Sequence, residues 1–245
     1  MNVLKKSSIF FLLVFGLYAN GQQADLSTVK AEWMSDDYID EVQILLSNYY
    51  ELGPSTGYGA SSFLVESDTA TYLCTAKHLL GPAMGIEPEV STKDFNQKLE
   101  LWIAFPRADK ITADTIRVKE LITEEINEAD AILLSVNLAE DHRVQSLKAR
   151  FDSIPEGEPL FVIGCEYSDS DCHQKSYPAV MSSYPFGKIM IKLEQDFDAS
   201  GFSGAPVIDA NGFVVGILIG GGIGVQGDFK LTLEPMTSLK KWLVD

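Results

Sequence analysis

Asp198-Ala199-Ser200-Gly201-Phe202-Ser203-Gly204-Ala205-Pro206 is followed by Val207-Ile208-Asp209, the dipeptide Asn211-Gly212 and the apolar run Phe213 to Ile219. Asn-Gly between two apolar runs signals a tight β-hairpin. A serine framed by two glycines just before that hairpin sits on a sharp backbone bend, because glycine admits conformations and close approaches that a Cβ forbids. If Ser203 attacks a carbonyl, the amides of Gly201 and Ser203 are placed to face the oxygen that becomes negative, which is the arrangement of an oxyanion hole. A polar glycine turn with no chemistry reads equally well on this stretch alone. The rest of the chain has to decide.

A serine hydroxyl is a poor nucleophile at neutral pH and needs a base, which in turn needs an acid to orient it. The chain offers three histidines. His78 ends an apolar strand, His142 lies in the charge run Glu140-Asp141-His142-Arg143, and His173 lies in a loop between cysteines. A rigidly held base is best supplied by His78. Chain order then removes a rival: an α/β-hydrolase carries its histidine after the serine and a second glycine at the position of Ala205, yet no histidine follows Ser203. The order His, Asp, Ser stays open, and Asp130, directly before the apolar run Ala131-Ile132-Leu133-Leu134, supplies the middle member.

The pattern around these residues is one of short β runs. Val42, Ile44 and Leu46 alternate as a strand does, after a helix cap at Ser35-Asp36-Asp37. Gly57 to Val65, Ala70 to Ala76, Leu99 to Phe105, Thr112 to Ile122 and Ala131 to Val136 follow, with an exposed loop expected from Pro82 to Lys98. Leu138 to Asp152 is charged and reads as the boundary between two halves. Beyond it lie Pro159 to Gly164, Ala179 to Ser182, Lys188 to Leu193, Pro206 to Asp209, Phe213 to Gly220 and Phe229 to Leu233. Each half thus holds six short runs, which points to barrels or sandwiches and not to alternating β and α units. From Pro235 on, Met236, Leu239 and Leu243 share one face, and Lys240 and Lys241 suit the negative end of a short terminal helix.

At this point the residues match a known family. Thr75-Ala76-Lys77-His78 resembles the histidine motif of the trypsin-like (chymotrypsin-fold) serine peptidases, Asp130-Ala131-Ile132-Leu133-Leu134 their aspartate motif, and Gly201-Phe202-Ser203-Gly204-Ala205-Pro206 their serine motif. Glu156 to Gly164 resembles the start of the second barrel in the bacterial Deg-type and glutamyl-endopeptidase branches. The resemblance covers about residues 40 to 244 and implies an all-β fold: two antiparallel six-stranded Greek-key β-barrels with a short C-terminal helix. It implies that His78 is the general base, Asp130 its orienting acid, Ser203 the nucleophile, and the Gly201 and Ser203 amides the oxyanion hole. It implies a peptide or protein substrate and no metal or organic cofactor. The expected division is a signal peptide over 1–21, an N-terminal extension over 22–39, a first barrel over 40–140 and a second barrel with the helix over 152–245. There are departures as well. Ala205 replaces a common glycine, Leu79 stands where vertebrate digestive members carry a cysteine, and Phe202 stands where they carry an aspartate that salt-bridges a newly cut N-terminus. In the same register the position that sets charge preference falls on Phe197, flanked by Asp196 and Asp198.

Composition sets the outer bounds. The chain has 245 residues, 46% hydrophobic and 22% charged, which is ordinary globular material. Lys5 and Lys6 precede the apolar run Ile9 to Tyr18, and Ala19-Asn20-Gly21 has the small-x-small form of a signal-peptidase site. Cleavage before Gln22 and a secreted or periplasmic location are expected, since Ile9 to Tyr18 is short of the ~20 apolar residues a spanning helix needs. Losing the two lysines takes the formal charge from −16 to −18, a surface that repels nucleic acid and anionic lipid. Cys165 and Cys172 are spaced for a local disulfide in an oxidising compartment, or, with His173, for a metal, although no second Cys or His pair lies at finger-like spacing. Cys74 reads as a packed strand thiol. Two alternatives to the endopeptidase stand beside it: a catalytically silent peptide- or protein-binding module on the same fold, and an esterase. The sequence does not state the oligomeric state.

Overall fold

The computed structural model describes residues 31, 33, 42–107, 115–126, 128–169, 172, 174–195, 197–223 and 229–244. The segments expected as signal peptide and helix cap, together with Asp196 and His173, lie outside these. The first half is built from β1 (Leu46–Leu52), β2 (Ser55–Glu66), β3 (Thr71–Thr75), β4 (Leu99–Phe105), β5 (Ile116–Leu121) and β6 (Ile132–Asn137). Their order is β1-β4-β5-β6-β3-β2, and β2 pairs back onto β1, closing a six-stranded antiparallel barrel. The second half is a closed barrel of β8 (Pro159–Gly164), β9 (Lys175–Ser183), β10 (Ile189–Leu193), β11 (Pro206–Asp209), β12 (Val214–Ile223) and β13 (Phe229–Pro235), in the order β10-β13-β12-β11-β8-β9. The all-β, two-barrel architecture expected from the sequence is therefore the fold.

Barrel closure explains the burial pattern. Strands whose alternate residues face a common interior bury every second side chain. In β1 those positions are Leu46, Asn48, Tyr50 and Leu52. Asn48 is fully buried, and its carbonyl oxygen accepts from Ser62 Oγ at 3.0 Å and from Trp102 Nε1 at 3.1 Å. This inward amide hides the strand from a hydrophobic count, so β1 begins where the sequence reading ended it. Tyr50 stacks on Trp102 at 4.1 Å between ring centroids, and burial pushes its phenol well above the ordinary range. Cys74 is buried in β3 and burial raises its thiol likewise, in keeping with the packed thiol expected there.

Three connecting segments differ from expectation. Within the stretch read as an exposed loop, α1 (Thr92–Lys98) is capped by the Ser91 hydroxyl, which accepts the Asp94 amide, and buries Phe95. The boundary segment contains a short strand, β7 (Ser146–Lys148), laid parallel to β2. Two residues on, Arg150 is buried and forms ion pairs with Asp152 at 3.0 Å, with Asp209 at 3.1 Å and with Glu158. At the C-terminus a 3-10 turn at Met236–Leu239 precedes a single α-turn, α2 (Lys240–Leu243), with Pro235 left as the last strand residue. His142, read as part of a solvated charge run, is only half exposed, and its Nδ1 is buried without a partner among the described residues.

Candidate active site

The first barrel supplies a histidine–aspartate pair. β3 ends at Thr75, and the chain turns into a short 3-10 segment, Lys77–Leu80, that carries His78. Asp130 stands two residues before β6, and β6 pairs with β3 through Thr75↔Ile132. Adjacent strand ends therefore bring the two together. Asp130 Oδ2 is 2.7 Å from His78 Nδ1, and Asp130 Oδ1 accepts the His78 main-chain amide at 2.8 Å. Both carboxylate oxygens are engaged by one residue, which fixes the ring plane and assigns the proton to Nδ1, leaving Nε2 as the basic nitrogen. Each side chain is about a quarter exposed.

The second barrel supplies the serine turn. Gly201 and Gly204 lie at φ +83° and +88°, a region that favours glycine. A Cβ on Gly204 would stand 2.0 Å from the Ser61 carbonyl oxygen, and one on Gly201 would stand 2.4 Å from the Tyr167 ring. The turn is stitched to β2 across the barrel junction. Ser61 donates its amide to the Ser203 carbonyl at 2.8 Å and its hydroxyl to the Gly201 carbonyl at 3.0 Å, while Thr75 Oγ1 donates to the Ser61 carbonyl at 2.6 Å. Thr75 lies three residues before His78, so the serine turn and the histidine segment share one anchor. Gly204 donates its amide to Leu218 at 2.8 Å and Phe202 donates to Ala199 at 3.1 Å. Among the described residues the amides of Gly201 and Ser203 have no acceptor, and free backbone donors on a serine turn are the groups that can receive a developing oxyanion.

Ala205 is fully buried, and its amide donates to the Phe202 carbonyl at 2.8 Å; the turn accommodates its methyl group. Phe202 is also fully buried, its ring 4.9 Å from Phe197 and 5.5 Å from Tyr177, and Phe197 and Tyr177 lie 4.1 Å apart. Phe197 thus belongs to an aromatic cluster under the turn. Asp198 beside it is exposed, and its carboxyl is held below the ordinary range by the Ser200 hydroxyl and then by the Ser200 amide, which it accepts at 3.0 Å.

The structure brings His78 and Asp130 into contact and docks Ser203 on the strand pair that leads to His78. The Ser203 hydroxyl makes no hydrogen bond to the His78 ring among the described residues. Such contacts are often long in the empty enzyme and close only around substrate. Cys165 and Cys172 form a disulfide with Cα atoms 5.5 Å apart, so neither sulfur is a free thiolate for the metal site weighed above. Their loop carries Tyr167, whose hydroxyl lies 3.4 Å from the Ala60 amide and whose ring receives Arg107 at 4.9 Å. The sequence reading did not single out Ser61, Tyr167 or Glu234. Glu234, at the end of β13, accepts the Asp130 amide at 2.7 Å.

A sequence model described as the trypsin-like peptidase domain matches residues 60–217. Comparison with curated protein sequences returned no match. The backbone superposes on kallikrein-related peptidase 10 with a TM-score of 0.57 at 16% identity, over 83% of this chain and 95% of that one. It superposes on the protease Anisep from Arthrobacter nicotinovorans at 0.55 and 15% identity, over 79% and 90% of the two chains. For the active form of the Rv3671c protease from M. tuberculosis the score is 0.53 at 14% identity, over 98% and 92%. At these identities the likeness is one of fold.

Proposed function

Because the chain belongs to the trypsin-like peptidase domain family, we propose that it is an exported serine endopeptidase acting through an acyl-enzyme on Ser203. His78 Nε2 takes the Ser203 proton as Oγ adds to the substrate carbonyl, Asp130 holds the imidazole and stabilises its charged form, and the Gly201 and Ser203 amides receive the oxyanion. The proton then passes to the leaving amine, and a water molecule, deprotonated by the same nitrogen, releases the acyl group. The observation that carries this reading is the double engagement of Asp130 by His78, which holds the imidazole through Nδ1 and leaves Nε2 available as the base.

The strand geometry favours a peptide as substrate. β12 pairs with β11 only up to Pro206↔Ile217, while its pairing with β13 runs on to Ile223↔Phe229. Beyond Leu218 the edge of β12 facing away from β13 has no strand partner among the described residues, and an extended peptide can add there by main-chain hydrogen bonds. The aromatic packing of Phe202 takes the place of an aspartate ion pair under the serine turn, so the enzyme needs no new N-terminus to order that turn. Export rests on residues 1–21, and N-terminal sequencing of the protein from the cell envelope or medium tests it: a start at Gln22 is expected.

A fluorophosphonate probe tests the chemistry. It is expected to label the folded, signal-free protein on Ser203 and on no other serine, and labelling to be lost in Ser203→Ala. The missing Ser203–His78 hydrogen bond favours a second reading, a non-catalytic peptide-binding module using the same β12 edge. Absence of both labelling and turnover of an unfolded casein-like substrate would select it.

A further inference from the structure

Asp130 is gripped from two sides. Its carboxylate is engaged by His78 within the first barrel, whereas its main-chain amide donates to Glu234 Oε2, at 2.7 Å, from the end of β13 in the second barrel. The same Glu234 oxygen is ion-paired with Lys188, one residue before β10. Glu234 is almost wholly buried, with 3% of its side chain exposed against 27% for Lys188. The pair lines a pocket of about 440 Å³ between the barrels, to which Ala129, Phe186 and Trp242 also contribute. A carboxylate is seldom buried without a cation and a full set of donors. Here the cation is Lys188 and the second donor is the backbone of the residue that orients the histidine.

We infer that Glu234 is a positioning residue, which holds the Asp130 main chain so that its carboxylate meets His78 in the required geometry. Lys188, ion-paired with the same oxygen, holds the Glu234 carboxylate in place. With the amide fixed, the Asp130 Cα–Cβ bond projects in one direction, and the two oxygens reach the His78 amide and ring together. With the amide released, the segment Glu128 to Asp130 is free to shift, and misplacement by about 1 Å is enough to lose about 100-fold in rate. The chemistry of the site thus draws on both barrels twice, once at Ser203 and once behind Asp130. The inference rests on the reading of His78 and Asp130 as an acid–base pair, and the test separates the two.

The test compares Glu234→Gln with Glu234→Met. Glutamine keeps a carbonyl oxygen for the Asp130 amide and loses only the charge; methionine fills the same volume with no acceptor and excludes a substituting water. The first readout is the Nδ1–H proton of His78, which a short bond to a carboxylate shifts far downfield in the NMR spectrum. The second is kcat and KM on a peptide ester. Glu234→Gln is expected to keep the downfield resonance and near-wild-type kcat. Glu234→Met is expected to lose or broaden the resonance and to drop in kcat by about 10- to 100-fold with KM unchanged. Wild-type resonance and kcat in a folded Glu234→Met overturn the inference, as does equal loss in both variants, which would assign the effect to the ion pair. If the methionine variant does not fold, amide exchange in the wild type decides: the Asp130 amide must exchange slowly, and fast exchange overturns the contact. A wild type that shows the resonance but neither labels nor hydrolyses removes the peptidase reading and leaves the Gln–Met contrast to decide this one.

Discussion

The two barrels hold their halves of the candidate site by different physics. In the first, His78 and Asp130 are fixed by two short charge-assisted bonds within one barrel wall, 2.7 and 2.8 Å long. In the second, Ser203 sits on a turn with no ion pair of its own among the described residues, held by positive-φ glycines, a buried aromatic ring and hydrogen bonds from the Ser61 amide and hydroxyl. Charge-assisted bonds are directional and orient a ring. Apolar burial is not directional, and the precision of the turn comes from close backbone contact, as at Gly204. Substitutions in the first barrel should therefore damage chemistry while sparing stability, and substitutions under the serine turn should damage both.

The sharpest break is on the chemical side. Ser203→Ala or His78→Ala is expected to lower kcat by about 10⁶, and Asp130→Asn by about 10⁴, because the amide leaves the ring in place but assigns its proton to the wrong nitrogen. Urea denaturation of Asp130→Asn should lie close to the wild type, and a large fall in its midpoint would erase the contrast. On the other side, Phe202→Ala removes a fully buried ring and is expected to destabilise by about 3–5 kcal/mol, read from the urea midpoint, with kcat falling as the turn loosens. A variant that keeps full stability and loses only kcat would show that the turn is held some other way.

The smallest effect is at high pH. Tyr177, in the cluster under Phe202, donates to Glu166 Oε1 at 3.3 Å, and burial followed by the Glu166 charge pushes its phenol up to about 12. The unfolded chain releases that proton near the ordinary value of 10.0, so the folded state holds it longer. This contribution is whole below pH 10 and is lost as pH rises from about 10 to about 12. Tyr177→Phe is expected to flatten the stability curve over that interval, with Tyr50 leaving some slope in the same direction. An unchanged slope would place the alkaline limb elsewhere.

The difference between the barrels also explains what could be read in advance. The segments Thr75 to His78, Asp130 to Leu134 and Gly201 to Pro206 were legible because each carries its signal locally: a strand end, a charge before an apolar run, glycines around a hydroxyl. Separately chosen, His78 and Asp130 lie 2.7 Å apart. Glu234 was not legible. It meets Asp130 across 104 residues of sequence, and in a chain with 35 acidic residues one more glutamate near a strand end carries no mark. β1 was misplaced because its inward face includes Asn48, and α1 was missed because its seven residues bury only Phe95. The cysteine pair stayed open because His173 stands beside it, and proximity in sequence does not tell a thiolate ligand from a half-cystine.

The link between the barrels has a further consequence. It is fastened at both ends, by β7 to β2 on one side and, on the other, by the Arg150 amide to Val214 and the Arg150 guanidinium to Asp209. A backbone nick at the exposed stretch around Asp141 would cut the polypeptide without undocking either lobe. The severed protein should travel as one particle through gel filtration, which would make the covalent tether dispensable once the fold is made.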